Sequence, residues 1–287
     1  MALVESLQQA IDYMEEHLLD QITIEGIAKQ ANLSPYHFQR IFMILTDMSV
    51  GEYLRRRRLT LAAQQLSSGN CKVIDLAYKY GYDTPESFSK AFRKQHGVTP
   101  SEMRKGIGKT QAYNRLVIQV NLKGAEPMEY RIVEREAFQV VGVKRELPCS
   151  ADGASPAPAI GRFWAELNQD GTVGRLSQLI DGDIDGVIGI TANYDEGRNV
   201  IDYWIGVERR GDVPKRFSST DVAASKWAVF EVYGPVSDAM PQTWKKIYSE
   251  WFPSNTYEHN GSASLEVYKS DDPTKRDAYS EIWVPIK

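Results

Sequence analysis

A nine-residue pattern occurs twice in this chain, fifty residues apart, and it constrains the fold more than any other feature. Ser34-Pro-Tyr-His-Phe-Gln-Arg-Ile-Phe42 aligns with Thr84-Pro-Glu-Ser-Phe-Ser-Lys-Ala-Phe92. The likeness continues downstream, where Ser49-Val-Gly-Glu52 matches Thr99-Pro-Ser-Glu102. Upstream, Ile27-Ala28 matches Leu76-Ala77, with one extra residue in the second turn. Such a repeat is one supersecondary unit used twice. Each position has a physical task. Ser34 and Thr84 can accept a backbone N–H as N-caps, and Pro35 and Pro85 suit the first helical position, where no donor is needed. Phe38 with Phe42, and Phe88 with Phe92, lie at i and i+4 and share one buried face. Tyr36, Gln39 and Arg40 then occupy the opposite side of the first helix, and Glu86, Ser89, Lys90 and Arg93 that side of the second. Ser49 with Glu52, and Thr99 with Glu102, read as capping boxes that open the next helix. A short helix, a tight turn and a capped second helix make a helix-turn-helix.

Between the copies, Gly51–Leu66 reads as a single linking helix containing Arg55-Arg56-Arg57-Arg58. Four consecutive residues point in four directions, so some of these arginines are expected to pair with the acidic first helix and one or two to touch phosphate. The charge is unevenly spread. Residues 1–28 carry six acids and no Lys or Arg, residues 29–105 a net +7 and residues 109–287 a net −5, within an overall −4. A basic block inside an acidic protein is a candidate footprint for phosphates. The 287 residues, 42% hydrophobic and 25% charged, suit about two globular domains. No apolar run approaches the ~18 residues that would span a bilayer, and the acidic start lacks the features of a secretion signal, so a cytoplasmic location is expected. Cys71 and Cys149 are too few for a metal cage or disulfide framework and read as reduced thiols.

Residues 4–105 resemble the AraC/XylS-type DNA-binding domain. The carriers are the two helix-turn-helix units, YLRRRRL, and DLAYKYGYDTPESFSKAFRKQHGVTPSEMRK. The resemblance implies that two recognition helices enter successive major grooves, which recur every ~34–36 Å. By motif position it implies base-reading roles for Tyr36, Gln39 and Arg40 in the first unit, and Glu86, Ser87, Ser89 and Lys90 in the second. Arginine forks to guanine and glutamine to adenine, which suits the first helix to base reading. The second is expected to contribute mostly phosphate contacts.

Beyond residue ~106 the texture changes to β-branched, aromatic and turn-rich stretches: EYRIVERE, AFQVVGVKREL, GVIGITANY, NVIDYWIGVE, KWAVFEVYG, SLEVYK and SEIWVPIK. Helical segments are expected around 160–169, 174–180 and 236–251. The expected organisation is an all-helical DNA-binding domain over 1–107, a linker over 108–126 and an α+β domain over 127–287. The α+β part is weakly duplicated. Helix FWAELNQ and strands GITANY and IDYWIGVE recur as WKKIYSEWF, SLEVYK and SEIWVPIK, so that Trp204 corresponds to Trp283. Strand alternation sets Glu266 and Tyr268 on one side of their strand, and Glu281 and Trp283 on one side of theirs.

Residues 128–287 resemble a GyrI-like effector-binding domain through MEYRIVEREAFQVVGV, FWAELNQ, YWIGVE and LEVYKSDDPTKRDAYSEIWVPIK. That resemblance implies a duplicated β-α-β-β fold around a groove that takes hydrophobic, often cationic molecules. It implies Glu266 as the ligand's carboxylate, with Glu281 as second choice, and Trp204, Tyr268 and Trp283 as aromatic walls. An acid among aromatic rings offers a counter-charge and cation–π contacts. The leading expectation is a transcription regulator that senses a small molecule. Its partners would be double-stranded DNA, an effector and RNA polymerase, with no cofactor, metal, membrane or catalysis. Two alternatives stand beside it: a hydrolase of small cyclic compounds with Glu266 as base or nucleophile, and a protein-interaction module that sequesters a partner.

Overall fold

The computed structural model describes residues 2–68, 71–118, 128–148, 157–195, 198, 200–270 and 272–287. Cys149 and residues 119–126 of the expected linker lie outside the described residues. The described chain clusters into two compact units, one of residues 4–39 and 48–118, the other chiefly of residues 40–47 and 128–287. Each is taken by itself.

The first unit is built from α1 (Ala2–Glu16), α2 (Ile24–Gln30), the first turn and a half of α3 (Pro35–Thr46), whose residues from Arg40 onward cluster with the second unit, α4 (Val50–Ser67), α5 (Val73–Lys79), α6 (Pro85–His96) and α7 (Pro100–Arg104). Local sequence starts most of these helices. Thr23, Ser49, Thr84 and Thr99 each accept a backbone N–H three residues on, and Thr99 with Glu102 closes a complete capping box. Gly97, at φ 76°, stops α6 in the left-handed conformation that glycine adopts without penalty. Phe38, Phe42, Phe88 and Phe92 are all buried. Around the second copy of the repeat, Leu59, Ala62, Ala63 and Leu66 of α4 pack with Leu76 and Tyr80, with Phe88 and Phe92, and with Met103.

The second unit is an eight-stranded antiparallel sheet with helices: β1 (Tyr130–Arg135), β2 (Phe138–Pro148), α8 (Ala157–Gln169), α9 (Thr172–Ser177), β3 (Val187–Asp195), β4 (Val200–Glu208), β5 (Ser218–Val222), β6 (Ser225–Tyr233), α10 (Val236–Lys246), β7 (Leu265–Tyr268) and β8 (Tyr279–Ile286). A π-helical turn over Ile247–Trp251 extends α10. The strand order β1-β6-β8-β7-β3-β4-β2-β5 is symmetric about the β7/β3 pair. β2-α-β3-β4 and β6-α-β7-β8 are therefore two copies of one β-α-β-β module. Trp204 and Trp283 occupy equivalent places: Trp204 pairs with Ile190, Ile190 with Leu265, and Leu265 with Trp283. The edge strand β5, SSTDV, is polar and lacks alternation, so the sequence does not announce it.

Cross-strand partners share a face. Hence Trp204, Ile190, Leu265, Trp283 and Val229 form one row, and with Trp227, Phe138, Val140 and Val267 they make a buried core on that side. The sheet curls over this core. Arg135 of the edge strand β1 reaches Glu208 near the other edge at 2.7 Å. The opposite face carries the helices, as Arg145 shows by bonding Glu166 of α8 at 2.6 Å and stacking over Phe163 at 4.0 Å.

Candidate functional site

At the symmetry line, the helix-bearing face brings a carboxylate among aromatic rings. Glu266 of β7 sits beside Gly189 of β3. Its Oε1 accepts from Trp244 Nε1 of α10 at 2.8 Å, and its Oε2 from the Tyr268 hydroxyl at 2.7 Å. Tyr268 packs edge-on against Trp164 of α8, with centroids 4.8 Å apart. Trp164 Nε1 donates to the Tyr203 hydroxyl at 3.1 Å. Gly189 is required here: a Cβ at that position would fall 2.4 Å from the Tyr203 oxygen. Burial, and then the charge of Glu266, hold the Tyr268 phenol well above its ordinary pKa. Arg40 of α3 adds a third partner: its Nη2 lies 3.5 Å from Glu266 Oε1 and its guanidinium stacks over Trp244 at 4.4 Å, so a cation already occupies the place beside this acid that a cationic guest would take.

The five residues that the sequence groups as one ligand site are divided between the two faces. Glu266 and Tyr268 stand on the helix side. Trp204, Trp283 and Glu281 stand on the other, because Leu265 rather than Glu266 pairs with Trp283, and Val267 pairs with Glu281. Glu281 is 1% exposed and engaged by Arg131 at 2.8 Å, Lys269 at 3.0 Å, the Tyr279 hydroxyl at 2.8 Å and Trp283 Nε1 at 2.8 Å. Burial alone would raise its pKa. The bonds from Arg131, Lys269, Trp283 and Tyr279 outweigh burial and hold it at about 2. Trp204 and Trp283 are core residues beneath this network. The aromatics beside Glu266 are instead Trp164, Tyr203 and Trp244. The duplication offered a signal for two of them, since each repeated helix motif carries a tryptophan at or next to its start.

In the helical unit, α6 presents Glu86, Ser87 and Lys90 to solvent, with Ser89 half-buried. Ser87 lends its amide to the Thr84 cap and its hydroxyl to the Thr84 carbonyl at 2.8 Å. An open groove lined by Ser89, Lys90, Arg93, Lys94 and Thr99 runs beside them. Lys90, Arg93 and Lys94 put three cations on its rim, Arg93 and Lys94 beyond the base-reading set that the resemblance implies. Tyr36, Gln39 and Arg40 lie half-buried on α3. The four arginines of α4 divide as their directions require. Arg57 forks onto Glu15 of α1 at 2.8 Å on both oxygens, Arg58 bonds the carbonyls of Leu18 and Asp20, and Arg56 pairs with Glu52. Arg55 makes no hydrogen bond or ion pair among the described residues. No group of three or more His, Cys, Asp or Glu among them could hold a metal ion, and none of their helices is long and apolar enough to cross a membrane.

A family model described as a GyrI-like small molecule binding domain matches residues 128–287, and a helix-turn-helix domain model matches residues 27–106. The HTH-type transcriptional activator AarP of Providencia stuartii is 36% identical over 98 residues, 34% of this chain and 73% of that protein. The regulatory protein SoxS of Escherichia coli K12 is likewise 36% identical over 98 residues, covering 92% of its own length. Among solved structures, a bacterial transcription regulation protein from Staphylococcus aureus MU50 aligns with 56% of this chain and 99% of its own, at 26% identity and a TM-score of 0.47.

Proposed function

Because the chain belongs to the AraC-type transcription regulators and ends in a GyrI-like small molecule binding domain, we propose that the effector is a lipophilic cation held at Glu266. The observation that carries this is the carboxylate ringed by Trp164, Tyr203, Trp244 and Tyr268. Aromatic faces attract a cation, the acid supplies its counter-charge, and the apolar surround favours a lipophilic body over a hydrated ion. Trp244 and Tyr268 orient the carboxylate, so a guest meets a fixed charge rather than a mobile one.

On the DNA side, we assign base reading to Tyr36, Gln39 and Arg40 on α3, and chiefly phosphate contact to Ser87, Ser89 and Lys90 on α6, with Glu86 at its start. Arg55, Arg93 and Lys94 join the phosphate set. Domain limits of 1–107 and 127–287 about a linker, a cytoplasmic location, RNA polymerase as a further partner, and the absence of catalysis complete the reading. AarP and SoxS, named above, are transcription regulators, which supports this reading.

Calorimetry on Glu266→Gln tests the central assignment. The substitution keeps the shape and removes the charge. A lipophilic cation such as tetraphenylphosphonium is expected to lose ~1–3 kcal/mol, the scale of a charge-assisted contact in a partly dry site, while a neutral analogue of the same shape is hardly affected. Equal losses for both would make Glu266 a structural residue.

A further inference from the structure

Residues 109–118 form neither helix nor strand, yet four of their backbone N–H groups and one carbonyl are hydrogen-bonded to side chains of the helical unit. The Gln111 N–H donates to His96 Nδ1 at 3.2 Å, and the Tyr113 N–H to Thr60 Oγ1 at 3.1 Å. The Leu116 N–H donates to the Tyr53 hydroxyl at 3.2 Å, and the Ile118 N–H to Gln8 Oε1 at 2.8 Å. The acceptors come from α1, α4 and α6. The Tyr113 carbonyl takes Arg57 Nη1 at 2.6 Å, its ring lies under Arg56 at 4.6 Å, and Arg115 pairs with Asp12 at 2.6 Å.

The receiving groups are set up for this segment. His96 is buried, and its Nε2 faces the Leu59 carbonyl at 3.2 Å, so that nitrogen carries the proton and Nδ1 is left as an acceptor. The Thr60 hydroxyl donates to the Arg56 carbonyl at 2.8 Å, and the Tyr53 hydroxyl to Glu15 at 2.6 Å, which leaves each oxygen to accept. Without residues 109–118 the buried His96 Nδ1 would lose the donor that Gln111 supplies, and the buried Thr60 Oγ1 would keep only Gln95 Nε2 at 3.3 Å. The helix-turn-helix model that matches the chain stops at residue 106, short of the segment.

We propose that residues 109–118 are a positioning strap for DNA reading. The strap ties the C-terminal end of α6, through His96, to α4 and α1, and so fixes the second recognition helix relative to the helix that joins the two units. This rests on the reading that α3 and α6 both meet DNA. Two recognition helices reach successive grooves only if their separation is held. His96, Thr60, Tyr53 and Gln111–Ile118 are therefore positioning residues for the second half-site, although none touches DNA.

The test uses the full chain carrying Gln111→Pro and Tyr113→Pro, which remove two donors and alter no helix side chain. Binding is measured on a duplex selected by the wild-type protein, and on the same duplex with the second half-site scrambled. The variant should lose tenfold or more on the intact duplex and fall to the level of the scrambled one, on which variant and wild type should bind alike. Gln111→Ala, which keeps the amide, should match wild type. A variant that still separates the intact from the scrambled duplex as the wild type does would overturn the proposal. Thr60→Val, isosteric but unable to accept from Tyr113, answers the same question if the proline chain melts early. A retained preference there counts equally against the strap. A wild type indifferent to scrambling would instead overturn the DNA reading beneath it.

Discussion

Glu281 and Glu266 are acids of like sequence context, each with an aromatic residue two positions on, and their surroundings give them opposite tasks. Glu281 has four donors and almost no exposure, so its charge is committed to the fold. Its folded pKa, about 2, lies below the ordinary 4.5. The stabilisation is thus fully present above about pH 4.5 and is lost as pH falls towards 2, with a maximum near 3 kcal/mol. Glu281→Gln is expected to cost about that much in denaturant melts at neutral pH, to flatten the acid limb of the stability curve, and to leave ligand affinity unchanged. A Gln variant of wild-type stability, or one that loses cation binding, would contradict this division of labour. Strand alternation in the sequence sorts each acid with its own aromatic neighbour. Which pairs share a face depends on the register Leu265↔Trp283, a contact between strands that alternation within one strand does not encode.

At the scale of elements, the helices were the most legible part, because a cap, a proline at the first position and a phenylalanine pair all act within a dozen residues. The strap was not legible. It has no periodicity, and its partners lie 15 to 110 positions away. His96, whose Nδ1 accepts from the Gln111 N–H, makes the end of α6 sensitive to acid. Burial holds the His96 imidazole below its ordinary pKa, against the Leu59 carbonyl, which pulls it upward. The unfolded chain therefore takes up a proton first, and stability from this site is present above about pH 6.5 and declines as pH falls below it. Protonation would also set a donor on Nδ1 facing the Gln111 N–H. Hydrogen exchange at the Gln111 amide should accelerate between pH 6.5 and 5 relative to amides in the middle of α4. Uniform behaviour across both would separate His96 from the strap. The strands followed the sequence except β5, whose polar run is recruited only because β2 offers it an edge.

The whole molecule joins two recognitions. In the proposed reading α3 and α6 meet nucleic acid and Glu266 with its aromatic neighbours meets a cation, and such a regulator works only if the two are coupled. Coupling is reciprocal and typically amounts to 1–3 kcal/mol, or about 5–150-fold in affinity. The duplicated sheet was readable from its repeated motifs, and the DNA-binding half from its fifty-residue repeat. The curl that hides three tryptophans on one face was not, because it arises from contacts between opposite edges such as Arg135 with Glu208. The most direct test is the dissociation constant of the full chain for its selected duplex, measured across a titration of tetraphenylphosphonium. The account predicts a saturable shift of about 5-fold or more in wild type, and in Glu266→Gln the same shift only at higher ligand concentration. A DNA affinity that stays constant while calorimetry shows the cation fully bound would contradict it.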